Sequence, residues 1–132
     1  MVEFAVSISV ALTVVFVLME LCLALYTYGM ISETAREATR WAIVRGSTCQ
    51  TGSGASCTTT TSAITTYAKG IGLPNLGGGT LTVTPSYPDT GNCTAPGCRV
   101  KVSVAYTVPI SLPFVPKNAI AMQSSSEMYI LQ

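Results

Sequence analysis

Val2-Glu3-Phe4-Ala5-Val6-Ser7-Ile8-Ser9-Val10-Ala11-Leu12-Thr13-Val14-Val15-Phe16-Val17-Leu18-Met19-Glu20-Leu21-Cys22-Leu23-Ala24-Leu25-Tyr26-Thr27-Tyr28-Gly29-Met30 opens the chain, and its reading decides the fold. From Phe4 to Met30 the only charge is Glu20, and no Pro interrupts. A run this long and this apolar predicts one helix suited to lipid or to an equally dry protein core. A more polar continuation, Ser32 to Arg45, carries Glu33, Arg36, Glu37 and Arg40 three or four apart. Gly46 suits a C′ position, and Arg40 and Arg45 suit the negative end of the helix dipole. At 1.5 Å per residue the helix over 1–46 is a rod of roughly 65–70 Å. A bilayer core is about 30 Å thick, so the lower part can span it while the upper part stands outside.

Beyond residue 46 the texture changes. Residues 47–62 are rich in Ser, Thr and Gly and read as a surface loop. Residues 63–71 place Ile64, Tyr67, Ala68 and Ile71 at helical spacing, which predicts a short helix. Pro74 to Gly79 is a connector. Thr80 to Thr84 alternates, with Leu81 and Val83 on one face. Pro85 to Gly97 is turn chemistry. Cys98 to Val108 alternates more clearly, with Val100, Val102, Val104 and Tyr106 on one face. Pro109, Pro113 and Pro116 predict an extended loop. The pattern resumes at 119–131, with Ile120, Met122, Met128 and Ile130 together. The expected fold class is α+β: a long apolar N-terminal helix packed by a small antiparallel sheet of three or four strands in 47–132.

Composition narrows the function. Of 132 residues 48% are apolar and 10% charged, against about 25% charged in an average soluble domain. The net charge of +1 gives no reason to expect nucleic acid as a partner. With no His and only six acids, a His-based triad is excluded and a His-based metal site has no ligand, so no enzyme, cofactor or metal site is expected. Asp89 reads as a turn former. Glu33, Arg36, Glu37 and Arg40 read first as i,i+3 pairs on a solvated face.

Five Cys are present: Cys22 in the apolar helix, and Cys49, Cys57, Cys93 and Cys98 beyond it. An even number in a small domain past a membrane-type segment suggests disulfides in an oxidising compartment rather than a four-Cys zinc site. Local pairs, Cys49 with Cys57 and Cys93 with Cys98, are expected, with Cys22 free. Four Cys allow three pairings, so crossed connectivity stays open. Thr58, Thr59, Thr60 and Thr61 are candidates for O-linked sugar, with a plain polar loop as the simpler reading. Asn92-Cys93-Thr94 matches the N-glycosylation pattern.

The helix carries no basic residue at its start; Arg36, Arg40 and Arg45 all follow the apolar run. Taken alone, the positive-inside rule would leave the Cys-bearing part in the cytoplasm. Removal of a basic leader would resolve this, with Met1 a processed terminus. Met1 as an initiator is the other reading. Glu3 and Glu20 stand out because an unpaired carboxylate in an apolar helix costs a few kcal/mol, about 3 by insertion scales. Each is a functional-site hypothesis, weighed against a place in the headgroup layers. Ser9, Thr13, Glu20, Thr27 and Thr34 align within one narrow stripe. In a helix bundle that stripe offers interhelical hydrogen bonds of roughly 0.5–2 kcal/mol each.

The opening Val2-Glu3-Phe4-Ala5 resembles the start of TadE-like proteins, pilin-related subunits of the tight-adherence branch of the type IV pilus superfamily. Glu20 falls where that family often has a second acid. Ala24-Leu25-Tyr26-Thr27-Tyr28 resembles its Ala-Leu-Tyr-x-Tyr, and Ala35-Arg36-Glu37-Ala38-Thr39-Arg40-Trp41-Ala42 its Ala-Arg-Glu-Gly-Ala-Arg-aromatic-Ala. Ser9 stands near a frequent Pro, Leu23 replaces a frequent basic residue, and Ala38 replaces Gly. The resemblance covers about the first third of the chain. It implies a pilin or minor pilin of an extracellular filament on the bacterial surface, held in the inner membrane before assembly. It implies other copies of the chain, the pilus assembly machinery and prepilin peptidase as partners, and a use in adhesion or surface attachment. It implies that Glu3, with Phe4, Thr13, Glu20 and Thr27, serves subunit assembly, and that Glu3 neutralises the N-terminal ammonium of an adjacent subunit. Tyr26, Tyr28, Arg36, Glu37, Arg40 and Trp41 are its helix signature. The competing reading is a monomeric, single-span, membrane-anchored extracellular binding domain.

Overall fold

A computed structural model describes residues 2–54, 56–71, 79–110 and 118–131. The connector expected at Pro74–Gly79, apart from Gly79, and the loop around Pro113 and Pro116 lie outside these residues. The elements run α1 (Val2–Ile43), α2 (Thr61–Gly70), β1 (Thr80–Ser86), β2 (Arg99–Ile110) and β3 (Asn118–Tyr129). One three-stranded antiparallel sheet of order β1-β2-β3 packs its inner face on the upper half of α1. The expected α+β class is what the structure shows.

α1 has two unlike halves. Among the described residues none before Thr27 is buried. From there Thr27, Ile31, Thr34, Ala35, Ala38, Thr39 and Ala42 are buried, a spacing of three and four that keeps them on one side. That side meets Val100, Val102, Val104 and Tyr106 of β2, all buried, with Val83 of β1 and Ile130 completing the core. Small side chains let helix and sheet approach closely. Ala35 and Ala38 have no exposed surface, and the Thr39 hydroxyl reaches the Ser126 carbonyl at 3.4 Å. β3 accordingly presents half-buried Ser124 and Ser126 between Met122 and Met128. Ile120 shares the face of Met122 and Met128 by alternation, as expected, but is exposed.

Two prolines lie inside strands where the sequence suggested breaks. Pro85 belongs to β1, opposite Val102; as an edge strand β1 tolerates a missing donor. Pro109 belongs to β2, opposite Ala119. β1 as described begins at Thr80, opposite Thr107. At the start of β1 a side chain on Gly79 would strike the Thr107 carbonyl and the Tyr106 ring, so this position accepts only Gly.

α2 starts two residues earlier than its apolar spacing suggested. Thr60 is its N-cap, with extended φ and ψ, and its hydroxyl accepts from the Ala63 N–H at 3.3 Å. Ile64 and Ala68, one turn apart, are buried against β1 and α1. Gly46 does not act as a left-handed cap. It is buried, and its carbonyl accepts from the Cys49 N–H and the Thr58 hydroxyl. The top of α1 is instead tied to three distant segments. Leu131 N–H donates to Ile43 O, Thr59 N–H to Arg45 O, and Ser47 N–H to Thr94 O, at 2.9–3.0 Å.

Candidate functional site: the bare half of α1

The lower half of α1 is the one helix long and apolar enough to cross a membrane among the described residues. Its side chains are exposed all round: Phe4 is 74% exposed, Leu12 50%, Phe16 45% and Leu21 54%. So large an uncovered apolar surface is stable only against lipid or other apolar helices.

Glu3 lies exposed in the first helical turn, a favourable place for a carboxylate at the positive end of the dipole. Glu20 is half-buried and shares the side of α1 that carries the sheet higher up. The polar stripe divides in the structure. Thr27 and Thr34 are 3% and 1% exposed within the chain's own fold. Ser9 and Thr13 remain exposed, but their hydroxyls donate to the carbonyls of Ala5 and Ser9. Thr27 and Thr34 likewise donate to Leu23 and Met30. These donors are satisfied within the helix, so interhelical hydrogen bonds would have to use the hydroxyls as acceptors.

Above the apolar stretch, Tyr26 and Tyr28 are exposed. Glu33–Arg36 and Glu37–Arg40 form loose ion pairs at 3.7 and 3.9 Å. Trp41 stacks on Tyr67 of α2 with centroids 4.7 Å apart, and Arg45 covers the Trp41 ring at 4.3 Å while donating to the Trp41 carbonyl. Trp41 thus docks α2 onto α1. Sequence reasoning did not find Tyr67 or Arg45 as its neighbours, since nothing local links them.

Two disulfides brace the loops of the head: Cys49–Cys57 and Cys93–Cys98, with Cys22 free and exposed on α1. The four thiols that a zinc site would have used are bonded to one another. Asp89 is more than a turn former. One of its oxygens accepts from the Arg99 Nε and a terminal guanidinium nitrogen at 3.1 and 2.8 Å, the other from the Arg99 backbone N–H. Those hydrogen bonds hold its carboxyl below the usual range. Arg99 also reaches Glu127 at 3.0 Å, so one side chain ties the 87–98 loop to β2 and β3. Of the glycosylation candidates Thr59 is buried, while Thr58, Thr60 and Thr61 are exposed, the Thr58 hydroxyl donating to Gly46 and that of Thr60 capping α2. Asn92 is exposed in a turn with φ of 54°.

Residues 1–40 match the model of the family described as TadE-like protein. The match ends within α1, so the likeness rests on the helix and not on the sheet. No curated protein and no solved structure gives a significant match. The family and the apolar helix fit a membrane-anchored, pilus-associated protein.

Proposed function

We propose that the chain is a structural subunit, a pilin or minor pilin, of an extracellular filament of the tight-adherence type. The observation that carries this reading is the division of α1. Its upper half is covered by the chain's own sheet, and its lower half, apolar on every side, is covered by nothing. Lipid supplies that cover before assembly, and helices of other copies supply it afterwards. Prepilin peptidase and an assembly machinery act on the chain in between, and attachment to surfaces is the filament's use. The proposed role is wholly structural, with no catalytic step.

In this reading Glu3 pairs with the N-terminal ammonium of a neighbouring copy. An ion pair that leaves water together loses less than either charge alone, and removing one partner strands the other. Glu3→Gln should therefore reduce filament yield at least tenfold while the head keeps its fold. Electron microscopy of material sheared from cells is the test. Filaments at normal yield from Glu3→Gln would leave Glu3 a headgroup residue. A chain that stays monomeric at high concentration in detergent, with no filaments on cells, would favour a membrane-anchored binding domain instead.

A further inference from the structure

Burial within the chain starts low on α1. Thr27 is buried, and on the same side Glu20 and Ala24 are half-buried while Met19, Leu21, Cys22 and Leu23 are exposed. At 1.5 Å per residue, Glu20 stands about 27 Å above Val2 and Thr27 about 37 Å. The hydrocarbon of a bilayer is about 30 Å thick, and the whole bilayer with its headgroups about 40–45 Å. The part of α1 that is free on every side is therefore too short to cross a membrane and carry the head clear of it. Glu3 fixes the lower level, because an unpaired carboxylate is kept out of hydrocarbon. With Glu3 at the inner edge, the outer edge falls about 20 residues higher, near Leu23, and the outer headgroups surround roughly residues 24–28. Tilting the helix shortens its vertical reach and brings the head lower still.

The residues at that level suit it. Tyr26 and Tyr28 are exposed on α1, and Tyr is favoured where headgroups meet water. From the head, one end of the sheet reaches down. Leu131 N–H donates to Ile43 O and the Thr39 hydroxyl to Ser126 O, so β3 lies lower along α1 toward its start. The lower rows of the sheet pair Thr107 with Ala121 and Val108 with Ile120. Ile120 is 44% exposed, and Ala121 is exposed too. Among the described residues the sheet carries no charge below the Lys101–Glu127 pair, and α1 carries none between Glu20 and Glu33. An uncharged end with an exposed Ile, level with two exposed Tyr, fits the boundary between headgroups and acyl chains.

We infer that, while the chain is anchored, the lower end of the sheet is seated in the outer headgroup layer, with Ile120 at the acyl boundary and Tyr26 and Tyr28 among the headgroups. The partner is a lipid surface, held by apolar and aromatic contact rather than by charge. The inference rests on the membrane step of the filament reading and deepens it: the lower end of the head must leave lipid before the subunit joins a filament. It also gives Glu20 a place. About 25 Å above Glu3, it lies just inside the hydrocarbon, on the side where the head reaches down.

The test uses the full chain in phosphatidylcholine vesicles, on a Cys22→Ser background, with a bimane label on one introduced thiol. Ile120→Cys should be quenched at least twofold by lipid spin-labelled beside the headgroup, and less by lipid spin-labelled at the chain end. Leu12→Cys, in mid-membrane, should show the reverse order. Thr90→Cys, in the exposed loop before β2, should respond to neither. Ala121→Cys gives a second reading at the level of Ile120 on the other face of the sheet. Trypsin resistance of the head checks the fold of each variant, and high salt should leave the quenching unchanged. Labels at Ile120→Cys and Ala121→Cys as unquenched as at Thr90→Cys, or quenching there that salt abolishes, would overturn the inference. Quenching at Leu12→Cys would in that case leave the anchor standing and the lower end free to pack on another copy. No quenching at Leu12→Cys would instead sink the membrane-spanning reading itself.

Discussion

Asp89 takes three hydrogen bonds from one residue, Arg99, and so fastens the turn before β2 to that strand. Its depressed pKa is a statement about stability. Unfolded, an Asp titrates near 3.8; folded, it holds its charge to lower pH. The stabilisation is therefore fully present above about pH 4 and is lost as pH falls through the folded value. Asp89→Asn should lower the melting temperature at pH 7, and the gap to wild type should narrow in acid; a gap independent of pH would mean that the charge is not what matters. Ile31 shows the cost of an apolar contact: it is fully buried between α1 and the sheet, and Ile31→Ala should cost about 2–5 kcal/mol in denaturant unfolding. The two residues also differ in how readable they were. Ile31 falls on the buried side by helical periodicity, whereas Asp89 and Arg99 are ten positions apart and meet only because a turn returns the chain to β2.

At the scale of elements, α1 was legible because its apolar run is long and unbroken, and β2 because it alternates strictly. The alternation from Val100 to Tyr106 specifies which face is buried, and the structure buries all four residues. β3 was less plain. Its inner face needs Ser124 and Ser126 where α1 comes close, and small polar residues do not look like core until the helix is placed over them. Strand ends at prolines were misplaced for a related reason. Whether a strand tolerates Pro depends on which neighbour it lacks at that point, which no local pattern encodes. α2 depends on Thr60: Thr60→Ala should destabilise the head by about 0.5–2 kcal/mol. The disulfides should matter more. Each closes a short loop, and loss of either by Cys→Ser pairs should cost about 2–3 kcal/mol, read as a drop in the denaturant midpoint. Equal midpoints with and without reductant would show that the head stands without them.

The whole molecule is a head built around the upper half of its own rod. Since burial begins at Thr27, a chain starting at Ala24 should fold as a soluble monomer with both disulfides formed; aggregation or a molten head would show that the lower helix also supports the fold. That the sheet would pack on the upper, more polar part of the helix was legible from the change of composition after Met30; that burial begins at Thr27, still inside the apolar run, was not. The core joins the two ends of the chain: Thr39 meets Ser126, and Ile43 meets Leu131. That has a consequence in time. Of the elements described, the helix is made before the strand that covers its upper side. Until β3 has been synthesised, Ile31, Ala35 and Ala38 have no β3 against them. Closing contacts so far apart in sequence is slow, so the sheet settles on the helix late in folding. A chain without β3 would form α1 and never close its head.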